Sequence, residues 1–223
     1  MKKDIIKVLI LTLIAVIIRI ICTPIFGGDP ISTTEPFGNI AGMIGIIPSV
    51  IIMFFISYLH LTLIGFYILR RSLAGNYANG FYFGLIVGVI WLYGMFEAGI
   101  LKDISQYKEL LFGISEAIPI IILGLLISFV LKKERNIQNK IINEIKFVQL
   151  RSQLISVLII SLFYLLFRYA SYLFIQIESK FIQKPVETFL WTFGNGLLIS
   201  IFYLFIKKFI KSLSINKIVF VFR

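Results

Sequence analysis

Four ionisable residues stand inside long apolar runs: Arg19, Glu97, Glu116 and Arg168. A charge placed in hydrocarbon costs about 2.5–3.5 kcal/mol on insertion scales, so such a residue faces protein or water and seeks a counter-charge. Two guanidinium groups can orient an acceptor and two carboxylates a donor. Counted at about 1.5 Å per residue from the outer span ends, all four come within roughly 6–10 Å of one surface. That spacing predicts a single charged stratum in the outer half of the membrane.

Each charge sits on a polar stripe. Thr12, Arg19 and Thr23 follow helical spacing, as do Ser161, Tyr164, Arg168 and Tyr172, and Thr188, Thr192 and Asn195 share a third face. Such stripes turn toward the interior of a helix bundle, because lipid leaves their groups unpaired. Asn39 and Asn195 each close a Phe-Gly-Asn triplet near the outer start of a span. The candidate ligand set is therefore Arg19, Arg168, Glu97, Glu116, Asn39, Asn195, Tyr164, Tyr172 and Thr192. Two readings stay open: a closed ion-pair network that locks helices together, and an outward-open polar pocket. Because the formal charges cancel, a zwitterionic, weakly anionic or amphipathic ligand is easier to accommodate than a strongly charged one.

Other chemistry has little support. His60 is the single histidine and is expected to make one interhelical hydrogen bond, with proton relay as the alternative. One histidine and one cysteine, Cys22, cannot supply a usual zinc set, and no cofactor is indicated. No H-E-x-x-H, Walker A, G-x-S-x-G or Rossmann glycine pattern occurs. Cys22 lies in an apolar run and reads as a small core residue. No catalytic residue is assigned, and whether the protein is an enzyme stays open.

The elements that must position these residues follow from composition. The chain has 223 residues, 59% of them hydrophobic and 15% charged, and its mean hydropathy is +0.96. Soluble domains are about 45–50% apolar and about 25% charged. The sequence predicts an all-α polytopic membrane bundle, with residues 1–223 as a single integral membrane domain. Six segments are long enough to cross about 30 Å of hydrocarbon: Val8–Phe26, Ile46–Leu69, Gly80–Leu101, Leu110–Leu131, Leu154–Ile175 and Phe189–Ile206. The basic N-terminus imitates a signal peptide. Arg19 interrupts its apolar stretch and no small-residue cleavage site follows, so it is read as a retained first span.

With six crossings both termini share a side. Of the 22 Lys and Arg residues, sixteen fall in segments on that side and four in the opposite loops, while Arg19 and Arg168 are in spans. The positive-inside rule then places both termini in the cytoplasm of a cell membrane. The net charge of +11 thus points to a membrane surface and the lipid bilayer as partner, with no nucleic-acid element. Arg70-Arg71 and Lys207-Lys208 read as inner anchors, and Trp191 suits an aromatic belt near an outer end.

Several organisational features add detail. Ile137, Ile141, Ile145 and Val148 predict a basic amphipathic helix at about 132–153, lying on the inner leaflet, extending the fifth helix or docking a partner. Phe-Gly pairs at Phe37, Phe112 and Phe193 suggest three tandem hairpins, with chance recurrence of two abundant residues as the rival. The second segment, from Phe37 to Leu69, is too long for one perpendicular span. Its Gly38, Gly42, Gly45 and Pro48 predict a broken or long, kinked helix, tolerated only against protein or a wet cavity. Gly80, Gly84 and Gly88 form a small-residue stripe for close helix packing, inside the monomer or across a homo-oligomer.

Three functional readings follow. The first is a small bacterial cytoplasmic-membrane protein that binds or transports a small polar or amphipathic solute at the outer charged cluster, the source being inferred from size and from Lys outnumbering Arg. The second is an accessory or immunity-like subunit of a larger membrane complex, acting through helix–helix contacts with no solute of its own. The third is an intramembrane enzyme modifying lipids through an outer-leaflet carboxylate pair.

Overall fold

The computed structural model describes residues 2–26, 43–71, 77–102, 106–132, 150–175 and 180–210. The described residues form six long helices and no strand: α1 (Lys2–Ile25), α2 (Ile46–Arg71), α3 (Tyr77–Lys102), α4 (Gln106–Lys132), α5 (Leu150–Ala170) and α6 (Pro185–Ile210). Each is long and apolar enough to cross a membrane, the architecture of a multi-pass membrane protein. A π-turn, Ser171–Ile175, continues α5. Asn39 and nearly all of the segment expected to be an amphipathic helix, 133–149, lie outside the described residues.

Polar bonds and small-residue contacts set the register between helices. Arg70 Nη1 lies 3.2 Å from Asp4 Oδ2, and Thr12 Oγ1 donates to Thr62 Oγ1 at 3.1 Å, so α1 and α2 run antiparallel. The closest packing is between α3 and α4. A Cβ on Gly84 would sit 2.7 Å from Ile121 Cα, and one on Gly88 would sit 3.2 Å from the Ala117 carbonyl oxygen. From the other side, a Cβ on Gly124 would meet Gly84 N at 2.9 Å. The Gly80, Gly84 and Gly88 stripe is thus covered by α4 within the chain. Dispersion and close backbone approach, which drive association in lipid, are greatest where side chains are smallest.

The core is built by α1, α2, α3 and α4, around Leu11, Tyr58, Phe83, Ile120, Leu123 and Ile127. By contrast, among the described residues α5 packs only against α6 and its own π-turn, while α6 also contacts α3 and α2. Ser161 and Ser200 share a 3.0 Å hydrogen bond across the α5–α6 seam, and a Cβ on Gly196 would lie 3.0 Å from Ser161 Cα. The rest of α5 turns apolar side chains outward, Phe163 and Phe167 among them. No Cα of α5 comes within 8 Å of α3, although both helices pack on α6.

The start of α2 shows the expected break. Met43 and Ile44 are helical, Gly45 follows with φ of 88°, and α2 begins at Ile46. A positive φ of that size suits a residue without Cβ. The freed Gly45 carbonyl accepts bonds from Ser49 N at 3.3 Å and Ser49 Oγ at 2.7 Å. The segment 37–42 lies outside the described residues.

Candidate functional site: two ion pairs at different depths

The four in-span charges resolve into two pairs. Arg19 on α1 pairs with Glu116 on α4: Nε donates to Oε2 at 3.0 Å and Nη2 contacts Oε1. Arg168 on α5 pairs with Glu97 on α3 through Nη2 and Oε1. Their levels differ. Gly88 faces Ala117 and Gly113 faces Leu92 across the α3–α4 seam, so Glu116 stands opposite the part of α3 near Val89. Glu97 is about eight residues farther along, roughly 12 Å nearer the helix end. The single stratum expected from sequence is therefore replaced by a deep pair and a shallow pair. About half of that separation comes from the start of α4 at Gln106, four residues ahead of the apolar run at Leu110, which sinks Glu116 further into the bundle.

The deep pair is sealed. The Arg19 and Glu116 side chains are only 3% and 2% exposed. The Arg19 guanidinium carbon lies 3.1 Å from the centroid of the Phe54 ring on α2, a desolvated cation–π contact. Thr23 Oγ1 returns a bond to the Arg19 carbonyl at 2.9 Å. Pro119 lacks an N–H, so the i−4 carbonyl, that of Ser115, gets no helical bond beside Glu116. Tyr58, 2% exposed, has no hydrogen-bond partner for its hydroxyl among the described residues. Phe54, Tyr58 and Thr62 recur every four residues along α2, so helical spacing could have placed Phe54 and Tyr58 on this face.

The shallow pair is open. Arg168 and Glu97 side chains are 23% and 24% exposed. Arg168 Nε donates to Tyr172 Oη at 3.1 Å, and the guanidinium carbon lies 5.2 Å from the Tyr172 ring and 5.4 Å from the Trp191 ring. The π-turn begins three residues after Arg168 and carries Tyr172. Such turns are rare and occur often at functional sites. Tyr172 stacks on Phe181 with centroids 5.8 Å apart, and Tyr169 meets both rings edge-on. Trp191 Nε1 donates to the Tyr93 carbonyl at 2.9 Å, which ties α6 to α3 directly beneath the pair. Lys184 Nζ reaches the Ile100 carbonyl at 3.2 Å at the same end.

No family model, curated protein or solved structure matches this chain. The remaining candidates are distributed between the pairs and the α6 face. Tyr164 lies half-buried on α5 one turn from Arg168. Thr192 and Asn195 are buried on α6, Thr192 bonding back to the Thr188 carbonyl at 2.7 Å. Asn39 lies outside the described residues. Trp191, expected in a belt facing lipid, is instead 5% exposed and bonded inside the bundle. Its ring covers the Arg168 guanidinium, a role that spacing alone did not reveal. His60 turns outward, and its Nδ1 lies 2.8 Å from the Ile56 carbonyl of its own helix, in place of the interhelical bond expected. Among the described residues no group of three or more metal-ligating side chains gathers.

Proposed function

We propose that this is a small bacterial cell-membrane protein that binds or transports a small polar or amphipathic solute, with the Arg168–Glu97 pair as its polar recognition element. One observation supports this reading above the others. Of the two ion pairs that Arg19, Glu97, Glu116 and Arg168 form, one is sealed within the core, while the other is about a quarter exposed and joins two helices that share no backbone contact among the described residues. A pair needed only for packing has no reason to stay open between unpacked helices. The division of labour is then simple: Arg19–Glu116 holds the core, and Arg168–Glu97 meets the ligand. Both termini in the cytoplasm, and assembly as three successive hairpins, belong to the same proposal. The distribution of Lys and Arg and the antiparallel register of α1 with α2 support them.

The accessory-subunit reading loses one of its routes, because the glycine stripe of α3 is occupied by α4. The lipid-modifying reading required Glu97 and Glu116 to act as a pair, and each is engaged by an arginine from a different helix.

The test uses Trp191 as reporter. The chain has two tryptophans, so Trp91→Phe leaves Trp191 alone beside Arg168. Titration of that protein with zwitterionic, anionic and cationic amphiphiles should give at least one saturable change in emission. Arg168→Met should abolish the change while leaving helical content intact. If Arg168→Met fails to fold, or binds as before, the pair is architectural and the proposal is wrong.

A further inference from the structure

We infer that the Arg168–Glu97 site takes a zwitterionic membrane lipid, with its phosphate on Arg168 and its ammonium on Glu97. The inference rests on the solute-binding reading above and names its ligand class.

The argument begins with what a ligand must replace. Arg168 and Glu97 are each other's counter-charge. An anion binding Arg168 alone would leave the Glu97 carboxylate displaced and facing a like charge. A cation binding Glu97 alone would strand the guanidinium. Stranding a partly desolvated charge is the larger cost in such exchanges. A ligand carrying both signs, one phosphate and one ammonium, satisfies both side chains and leaves the net charge of the site unchanged. Selectivity then comes from what the wrong ligand leaves unpaired.

The donor geometry fits a phosphate. Arg168 is held from behind, its Nε on the Tyr172 hydroxyl and its carbon close to the Tyr172 and Trp191 rings. Nη2 points to Glu97, across the gap. A planar guanidinium fixed at one nitrogen presents its outer N–H groups as a fork, which matches phosphate oxygens. The π-turn carries Tyr172 and with it the rear support of the guanidinium.

The surroundings indicate a lipid rather than a solute from water. The pair bridges α3 and α5, whose backbones share no contact among the described residues. The residues next to Arg168 on α5 and in the π-turn carry outward-facing apolar side chains: Phe167 is 66% exposed and Phe174 is 84% exposed. A headgroup at the ion pair would lead its acyl chains along this wall.

The decisive experiment compares headgroups at constant chain length. Trp91→Phe protein in a maltoside detergent is titrated with dihexanoyl phosphatidylethanolamine, phosphatidylcholine and phosphatidylglycerol below their micelle concentrations, and with phosphoethanolamine lacking chains. The zwitterionic lipids should bind at least tenfold more tightly than phosphatidylglycerol. Glu97→Gln, which frees the guanidinium, should reverse that order. A wild-type preference for phosphatidylglycerol, or none, overturns the inference whatever the variant does. Phosphoethanolamine binding as tightly as the lipids overturns the lipid assignment but leaves a solute site standing. No saturable response to any amphiphile removes both this inference and the reading it rests on.

Discussion

Breaking the deep ion pair one side at a time gives an asymmetric pattern of stability loss. Arg19 and Glu116 are almost wholly enclosed and joined at two points, by Nε to Oε2 and by Nη2 to Oε1. At about 4 Å and an effective dielectric of 20, a pair of unit charges is worth about 4 kcal/mol. Removing one partner of a buried pair typically costs about 3–5 kcal/mol, because the other is left uncompensated. The two truncations differ in what they leave behind. Glu116→Leu strands a guanidinium with five N–H donors to satisfy, whereas Arg19→Met strands a carboxylate with only acceptors. Arg19→Met also exchanges the cation–π contact with Phe54 for a sulfur–aromatic contact of about 0.3–1.5 kcal/mol. We therefore expect a loss of about 3 kcal/mol for Arg19→Met and about 5 kcal/mol for Glu116→Leu. The double variant should lie within about 1 kcal/mol of the wild type or above it, as when buried pairs are replaced by apolar residues of similar volume. Reversible unfolding in bicelles, followed by far-ultraviolet circular dichroism, gives all four corners of the cycle. Additive losses in the double variant would show that the two side chains are not coupled. Losses below about 1 kcal/mol in both single variants would show that the pair is hydrated.

Two further outcomes concern packing. Gly84→Leu should cost about 3 kcal/mol or more, because its Cβ would stand 2.7 Å from a backbone atom of α4. Gly94→Ala on the same helix, with nothing within 4 Å of its Cβ, should be neutral or stabilising by up to about 1 kcal/mol. The same unfolding assay ranks the two. In a Cys22→Ala background, Ser161→Cys with Ser200→Cys should form a disulfide on oxidation, since the native hydroxyls are 3.0 Å apart. Adding Gly196→Ile should prevent that bond by lifting α5 from its single neighbour, which gel mobility would report.

The spans were legible because hydrocarbon imposes one strong rule on the sequence, a run of about 20 apolar residues for each crossing. All six predicted segments coincide with observed helices, the ends differing by at most six residues. The break at Gly45 was legible for a similarly local reason, since a glycine takes a φ of 88° without the clash that a Cβ brings. The polar stripes also pointed inward as read: Thr12, Thr23, Ser161 and Thr192 are buried. What misled was depth. An apolar run shows where hydrocarbon-compatible residues begin, whereas α4 begins at Gln106 with a polar first turn that the hydropathy pattern discounts. That shift of about one helical turn supplies about half of the roughly 12 Å that separates the two pairs along the α3–α4 seam. Trp191 misled for another reason, because a residue close to a span end is placed by rotation about the helix as much as by depth.

Taken alone, the residues determine that this chain makes six apolar helices, that Arg19, Glu97, Glu116 and Arg168 lie inside their apolar runs, and that these four charges require partners. Those are consequences of local composition and of the cost of an unpaired charge in hydrocarbon. Which arginine meets which carboxylate is a matter of helix neighbours, and neighbours are set by packing. The glycine seam draws α3 against α4, α1 settles beside α4 and gives Arg19 to Glu116, and α5 hangs on α6 within reach of Glu97. Only that tertiary arrangement makes one pair sealed and the other open, because exposure depends on which helix backbones touch.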